Sequence, residues 1–187
     1  PANFKAIDKL INTSQSTIGQ IRGTRLQIEE TLNAYNAIVG GEVADNRKAY
    51  RQLNKNLNQT KSQREKVRNH VAKMEAAADK LFTDWEASLD DISTMDLRER
   101  SMERMNDTKG RYDDLLAAGR AAGEEFDPFI TYLSDQIVFL GNDMNPAAIS
   151  ALEPDAKKLN AQAEDVFSTI DKALEDMSNY ANSLKPE

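Results

Sequence analysis

The sequence contains no cysteine and a single histidine among its 187 residues. Without cysteine there is no disulfide, no thiol nucleophile and no zinc finger. A Ser-His-Asp site is poorly supplied, and the Glu-x-x-His pattern of di-iron bundles is missing because Val67 stands three residues before His70. His70 lies beside an apolar seam, where we expect it to be partly solvated. These absences speak against nucleophile and metal enzymes, so we expect no enzyme activity and no cofactor.

Glycine and proline are also scarce, with eight and five residues. No glycine-rich phosphate-binding loop is present, and Gly40–Gly41 follows a helical pattern as a stop signal. No apolar run approaches the length that spans a bilayer. So few helix breakers in so long a chain favour a small number of long helices.

The formal net charge is −7, which argues against a nucleic-acid partner. One stretch is basic nevertheless: residues 47–73 hold nine Lys and Arg and a single acid, Glu65. This stretch is either a phosphate-binding or nucleic-acid-binding face, or it neutralises the acidic second half of the chain. We favour neutralisation, because folding the chain back at residues 93–96 brings the acidic segments alongside.

Apolar residues recur at alternating steps of three and four throughout the chain. This period predicts four helices over residues 3–39, 46–92, 96–140 and 146–184, with the last interrupted near Pro154. The third helix should kink at Pro128 and continue, because its stripe stays in phase. No β-strand alternation competes, and the short connections force neighbours antiparallel. The prediction is an all-α protein: an elongated, antiparallel, up-down-up-down four-helix bundle with coiled-coil-like packing, forming one domain over residues 1–187.

The connections carry start and stop signals of their own. Asp45 or Asn46 can cap the second helix, and Asn145–Pro146 offers a cap followed by proline at the first helical position. Gly141–Asn142 is expected to end the third helix.

Arg25 and Arg64 occupy seam positions where aliphatic residues are expected. Since an unpaired guanidinium in a core is very costly, each should reach a carboxylate of the third or fourth helix. The alternative is that their aliphatic stems pack while the charged ends reach water. The candidate buried ionic layer consists of Arg25, Arg64, Glu124, Glu125, Asp127 and Glu164.

Matching residues across the turns makes the second and third helices extend past the other two, as a two-helix tip over residues 85–102. Two helices bury less apolar surface than four, so an apolar tip indicates a contact with a partner or a membrane. The alternative is that these side chains pack on each other or are covered by residues upstream of Pro1. The candidate partner-docking tip consists of Trp85, Leu89, Ile92, Met95, Leu97 and Met102.

Several segments resemble a family of uncharacterised bacterial proteins of unknown function, most of whose members are described as lipoproteins. The segments are 81–86 (LFTDWE), 107–112 (DTKGRY), 127–128 (DP), 137–142 and 145–152 (NPAAISAL). The likeness covers roughly residues 26–187. It implies an all-helical protein of the Gram-negative envelope, in the periplasm and anchored to the outer membrane by a lipidated cysteine upstream of Pro1. It brings no catalytic residues. Because the chain starts without Met or a leader, we expect that its N-terminus was processed or lies upstream.

Three functions are compatible with these features. The leading hypothesis is a non-enzymatic periplasmic structural or interaction module, a rigid helical spacer that presents a surface to an unidentified protein partner of the envelope. The first alternative is a ligand-sensing helical bundle, which needs a polar pocket between its helices. The second is an amphipathic module that binds lipids or membranes through its apolar stripes.

Overall fold

The computed structural model describes residues 2–186, and helices account for nearly all of them. The elements are α1 (Phe4–Val39), α2 (Asn46–Ser88), a 3-10 turn (Leu89–Asp91), α3 (Met95–Asn142), α4 (Pro146–Ala151) and α5 (Glu153–Leu184). No strand occurs in this part of the chain, which confirms the all-α prediction. The predicted helix ends lie within four residues of the observed ones.

The turn after α1 forms as its glycines predict. Gly41 adopts a left-handed φ of 70°, which glycine accepts without steric cost. The Gly41 N–H donates to the Ile38 carbonyl at 3.1 Å, and the Glu42 N–H donates to the Ala37 carbonyl at 2.9 Å. These two bonds form a Schellman motif, which satisfies the last carbonyls of α1 and reverses the chain.

Two side chains cap helices as expected. Asp45 accepts the Lys48 backbone N–H at 3.0 Å, and this bond lowers the pKa of the Asp45 carboxyl. Asn145 accepts the Ala148 N–H at 3.0 Å, with Pro146 at the first helical position. The predicted interruption falls at Leu152, between α4 and α5. Pro154 then lies in the first turn of α5, where its missing N–H costs no hydrogen bond.

α3 ends at Asn142, at the Gly141–Asn142 stop that the sequence predicts. The helix passes through Pro128 without a break. The space beside Gly141 is taken by Tyr50 of α2: a Cβ built on this glycine would meet the tyrosine hydroxyl and lie 3.0 Å from its Cζ. Gly141 therefore also gives a neighbouring ring room to approach, without adopting a left-handed backbone.

The long helices pack side by side in a ring of neighbours. α1 lies against α2, α2 against α3, α3 against α5 and α5 against α1. Apolar side chains of all four meet in one continuous core, which includes Leu10, Tyr35, Leu53, Leu81, Phe129, Leu133, Leu140, Leu159 and Val166. Burial of these stripes is what holds such long helices in place, since helix propensity alone is weak.

The contact between α1 and α2 has a threonine at successive heptad positions of α1. Thr17, Thr24 and Thr31 are all buried, and each hydroxyl donates to the carbonyl four residues earlier in its own helix, at 2.7 to 2.9 Å. Thr31 also lies 3.0 Å, oxygen to oxygen, from Thr60 of α2, and both are fully buried. Small, internally satisfied side chains thus fill this contact.

Candidate functional site

The candidate tip divides into a packed part and an exposed part. Leu89 is buried and Ile92 is half-buried against the core. Trp85 is half-buried as well, and its indole N–H donates to the Ser101 hydroxyl at 3.0 Å, which joins α2 to α3. Leu89 therefore packs inside the hairpin, whereas Trp85 and Ile92 are only partly covered, and docking through them stays a prediction.

The other three residues of the tip remain on the surface. Met95 is 77% exposed, Leu97 49% and Met102 43%. Arg98 forms an ion pair with Asp90 at 2.6 Å across the turn, so the exposed residues sit on a braced hairpin. Partner binding by Met95, Leu97 and Met102 stays a prediction.

Each arginine of the predicted ionic layer has a carboxylate partner on another helix. The Arg25 guanidinium donates to both oxygens of Asp171 on α5, at 2.7 and 3.0 Å, and lies 4.7 Å from the centre of the Phe167 ring. Arg64 pairs with Asp127 of α3 and lies 5.3 Å from the Phe126 ring. Both guanidinium groups thus combine ionic and cation–π contacts.

The prediction of one buried ionic layer is wrong in two respects. The Arg25 and Arg64 side chains are 29% and 24% exposed, so their ends reach the surface. Glu124, Glu125 and Glu164 are exposed, and Glu125 accepts a hydrogen bond from the Thr169 hydroxyl at 2.7 Å. The two arginines form separate pairs at the edges of the core, because long stems carry their charged ends outward.

A cavity of about 350 Å³ opens between α2 and α3, half-way along the helices. Its α3 side includes three small residues, Gly119, Ala122 and Gly123, between larger leucine, arginine and phenylalanine side chains. A Cβ built on either glycine would meet no atom within 4 Å. The cavity extends inward to Ile28 of α1 and Met177 of α5, so it enters the core from one side of the bundle.

Aromatic side chains close the core on both sides of this cavity. Toward the tip, Tyr112 lies between Phe82 and Tyr180, with ring centres 6.3 and 6.1 Å apart, and the Tyr180 hydroxyl donates to the Thr108 carbonyl at 3.2 Å. Burial raises the pKa of the Tyr112 and Tyr180 hydroxyls above the ordinary value.

At the opposite end, the buried Tyr35 hydroxyl donates to Gln136, and burial raises the pKa of Tyr35. Tyr132 donates to the Asp155 carboxylate, and this bond is the main reason that the pKa of Tyr132 rises to about 12. Tyrosine side chains thus close the core on both sides of the cavity.

Other site types find little support within residues 2–186. That part of the chain holds no group of three or more His, Asp or Glu side chains placed to bind a metal ion. None of its helices combines the length and the apolar character that crossing a membrane requires. His70 is half-buried, as its position beside the seam predicts, and its carbonyl accepts a hydrogen bond from the Thr17 hydroxyl at 3.3 Å.

The cavity is the feature that sequence reasoning missed. Gly119 and Ala122 were recognised as seam residues of the third helix, but their small size was not converted into a missing volume. The available signal was a stretch of five residues in α3 that holds two glycines and an alanine. It faces valines of α2 and not aromatic residues that could fill the space.

Fold and site define an all-helical protein whose long, closely packed helices leave an apolar cavity that opens on one side of the bundle. The chain belongs to the family described as "Protein of unknown function (DUF2959)", whose sequence model matches residues 4–184. This confirms the resemblance to a family of unknown function and extends it to the whole of α1. No curated protein and no solved structure matches the chain.

Proposed function

We propose that the protein is a non-enzymatic interaction module of the cell envelope, a rigid helical spacer that presents its tip to a protein partner. The proposed architecture is an elongated, antiparallel, up-down-up-down four-helix bundle with coiled-coil-like packing. Cross-helix contacts support it: Thr17 meets the carbonyl of His70, while Thr31, later in α1, meets Thr60, earlier in α2. Arg25 with Asp171 and Asn36 with Asn160 give α1 and α5 the same opposed order.

The single observation that carries the proposal is the exposure of Met95, Leu97 and Met102 on a braced hairpin. Extending the α1–α2 register from Thr17 and His70 places Phe4 near residue 83, so the last turns of α2 lie beyond the start of α1. Methionine is over-represented at interfaces, and its flexible thioether adapts to varied surfaces. Exposed apolar residues on a rigid support are typical of docking surfaces.

The proposed location is the periplasm, with an outer-membrane lipid anchor upstream of Pro1. It rests on the resemblance to lipoproteins of the Gram-negative envelope. In the proposed antiparallel order both termini lie at the tip end, so an N-terminal anchor would hold the docking surface close to the membrane.

A photo-crosslinking amino acid at position 95 tests the docking surface in living cells, with position 138 as the matched control. Val138 is also on α3 and is 61% exposed, but it lies far from the tip. We expect a discrete crosslinked protein from position 95 alone. Binding of that purified protein should weaken by about tenfold or more when Met95 and Leu97 are both replaced by Gln, as expected for residues near the centre of an interface.

Both replacements are on the surface, so circular dichroism and the melting temperature should stay unchanged. Identical crosslinks from positions 95 and 138 would contradict the proposal. So would equal affinity of the double variant and the wild type for the crosslinked protein.

A further inference from the structure

The cavity between α2 and α3 is a half-open pocket that leads from the surface into the core. Protein interiors are close-packed, so a pocket of about 350 Å³ that reaches core residues such as Ile28 and Met177 is a distinct feature of this side of the bundle. Gly119 and Gly123 bring no side chain to the α2–α3 contact, and a Cβ built on either would meet no atom within 4 Å. The volume lies at the lower end of the range of small-molecule sites, roughly 300 to 1,000 Å³.

Its walls are almost entirely hydrocarbon. Val67 and Val71 of α2, Leu116 of α3 and Ile170 of α5 line it, together with the residues named above. The buried Thr24 hydroxyl at its inner wall already donates to the Gln20 carbonyl at 2.9 Å. The interior therefore presents no free hydrogen-bonding group to a polar ligand, and an aliphatic chain is the matching occupant. This differs from the polar pocket that a sensor of soluble ligands needs.

The mouth of the cavity is cationic. Its lining includes Arg64, Arg68 and Arg120 but only one acid, Glu75, in a chain whose net charge is −7. Arg64 is engaged with Asp127, whereas Arg120 lies 3.7 Å from Glu75 and Arg68 pairs only with Glu65, in its own helix. Arg68 and Arg120 are exposed, so both can turn toward an anion at the entrance.

We propose that the α2–α3 cavity binds a single-chain anionic amphiphile, a long-chain fatty carboxylate. The acyl chain occupies the apolar interior and the carboxylate lies between Arg68 and Arg120. One chain is favoured over a two-chain lipid because the volume is small. The proposal is independent of the tip, which lies at the end of the same two helices.

The binding test uses the purified full chain and cis-parinaric acid, a fluorescent fatty acid, below its micellar concentration. We expect saturable binding of one probe per chain, with a dissociation constant in the micromolar range, about 1–10 μM. The uncharged alcohol of equal chain length should compete at least about tenfold less well, and an alkyltrimethylammonium ion should compete no better than the alcohol. Absence of saturable binding, or equal competition by all three head groups, would overturn the proposal.

Two pairs of variants locate the site. Gly119→Leu with Gly123→Leu fills the cavity and should weaken binding by about tenfold or more, whereas Gly110→Leu, in the same helix and also facing open space, should leave it unchanged. Arg68→Gln with Arg120→Gln should weaken binding of the acid but not of the alcohol. Arg98→Gln with Arg100→Gln at the tip is its charge-matched control. Because the arginine pair is on the surface, it keeps the test decisive even if the filled variant does not fold.

A last arm separates free fatty acid from membrane lipid. The protein should not co-sediment with vesicles of phosphatidylcholine and phosphatidylglycerol that contain no free fatty acid, if co-sedimentation depends on this cavity. Sedimentation that is lost in the filled variant would identify bilayer lipid as the ligand and overturn the assignment to a single-chain acid. The Met95→Gln, Leu97→Gln variant should bind the probe as the wild type does, so the two proposals fail or succeed separately.

Discussion

The two long faces of α2 are packed differently, although the same heptad period runs along both. Toward α1, Thr31 and Thr60 meet with no exposed surface, and the helices lie close together. Toward α3, Gly119 and Gly123 leave a cavity of about 350 Å³. Both contacts use small residues. Threonine fills its space and satisfies its own hydroxyl within the helix, whereas glycine leaves the space empty unless another side chain enters.

Gly141 shows the second outcome for glycine. There the Tyr50 ring of α2 occupies the volume that a Cβ would need. The comparison shows that the spacing of apolar residues determines which residues of two helices face each other. The size of the side chain opposite a small residue then decides whether the contact is filled or leaves a gap.

The largest expected effect comes from alkaline pH, which deprotonates the buried tyrosines on both sides of the cavity. Tyr35, Tyr112 and Tyr180 are buried, and burial raises the pKa of each above the unfolded value near 10. The stability from keeping these hydroxyls protonated is complete below pH 10. It is lost as pH rises toward the folded pKa, at a rate of about 4 kcal/mol per pH unit for three such groups.

The measurement is thermal unfolding from pH 8 to pH 12, with tyrosinate absorbance recorded in parallel. The melting temperature should be level to about pH 10 and then fall steeply, with tyrosinate appearing together with unfolding. If all five tyrosines titrate near pH 10 while the protein stays folded, the burial of Tyr35, Tyr112 and Tyr180 is contradicted.

The next effect probes the closed face of α2. Thr31→Leu adds volume where no space exists, so it should lower the free energy of unfolding by about 2 kcal/mol, within the range for overpacked cores. Thr131→Leu is the matched control, because Thr131 is exposed on α3 and the change there should be nearly neutral. Urea unfolding measures both. If Thr31→Leu is as stable as the control, the α1–α2 contact is looser than described.

Sequence patterns predicted the fold well because its determinants are local or periodic. The long helices, the Gly40–Gly41 turn and the Asn145 cap each depend on periodic residues or on residues near in sequence, and all three are confirmed. The site was predicted only in part. Each arginine reaches a carboxylate of the third or fourth long helix as expected, but only Asp127, the partner of Arg64, was among the predicted residues. Arg25 pairs with Asp171 instead, because a long side chain reaches several carboxylates.

The tip shows the same limit. Trp85 and Leu89 pack inward while Met95 points outward, and a heptad count alone does not separate them at a helix end, where a 3-10 turn changes the register. The cavity depends on volumes contributed by four helices, so no single stretch of sequence reveals it.

The smallest expected effect is a difference in stability between alanine substitutions at two glycines of α3, one beside free space and one beside a packed ring. Gly123→Ala should raise the free energy of unfolding by about 0.5–1 kcal/mol, because alanine is the better helix former and its methyl enters free space. Gly141→Ala gains less near the end of α3 and must displace Tyr50, so it should lower the free energy of unfolding by about 1 kcal/mol. Urea midpoints of the two variants, measured side by side, give the comparison, and Tyr50→Leu combined with Gly141→Ala should remove most of the loss. Shifts of equal size and sign at positions 123 and 141 would mean that the two glycines face similar space, and the distinction between the open and the closed contact would fall.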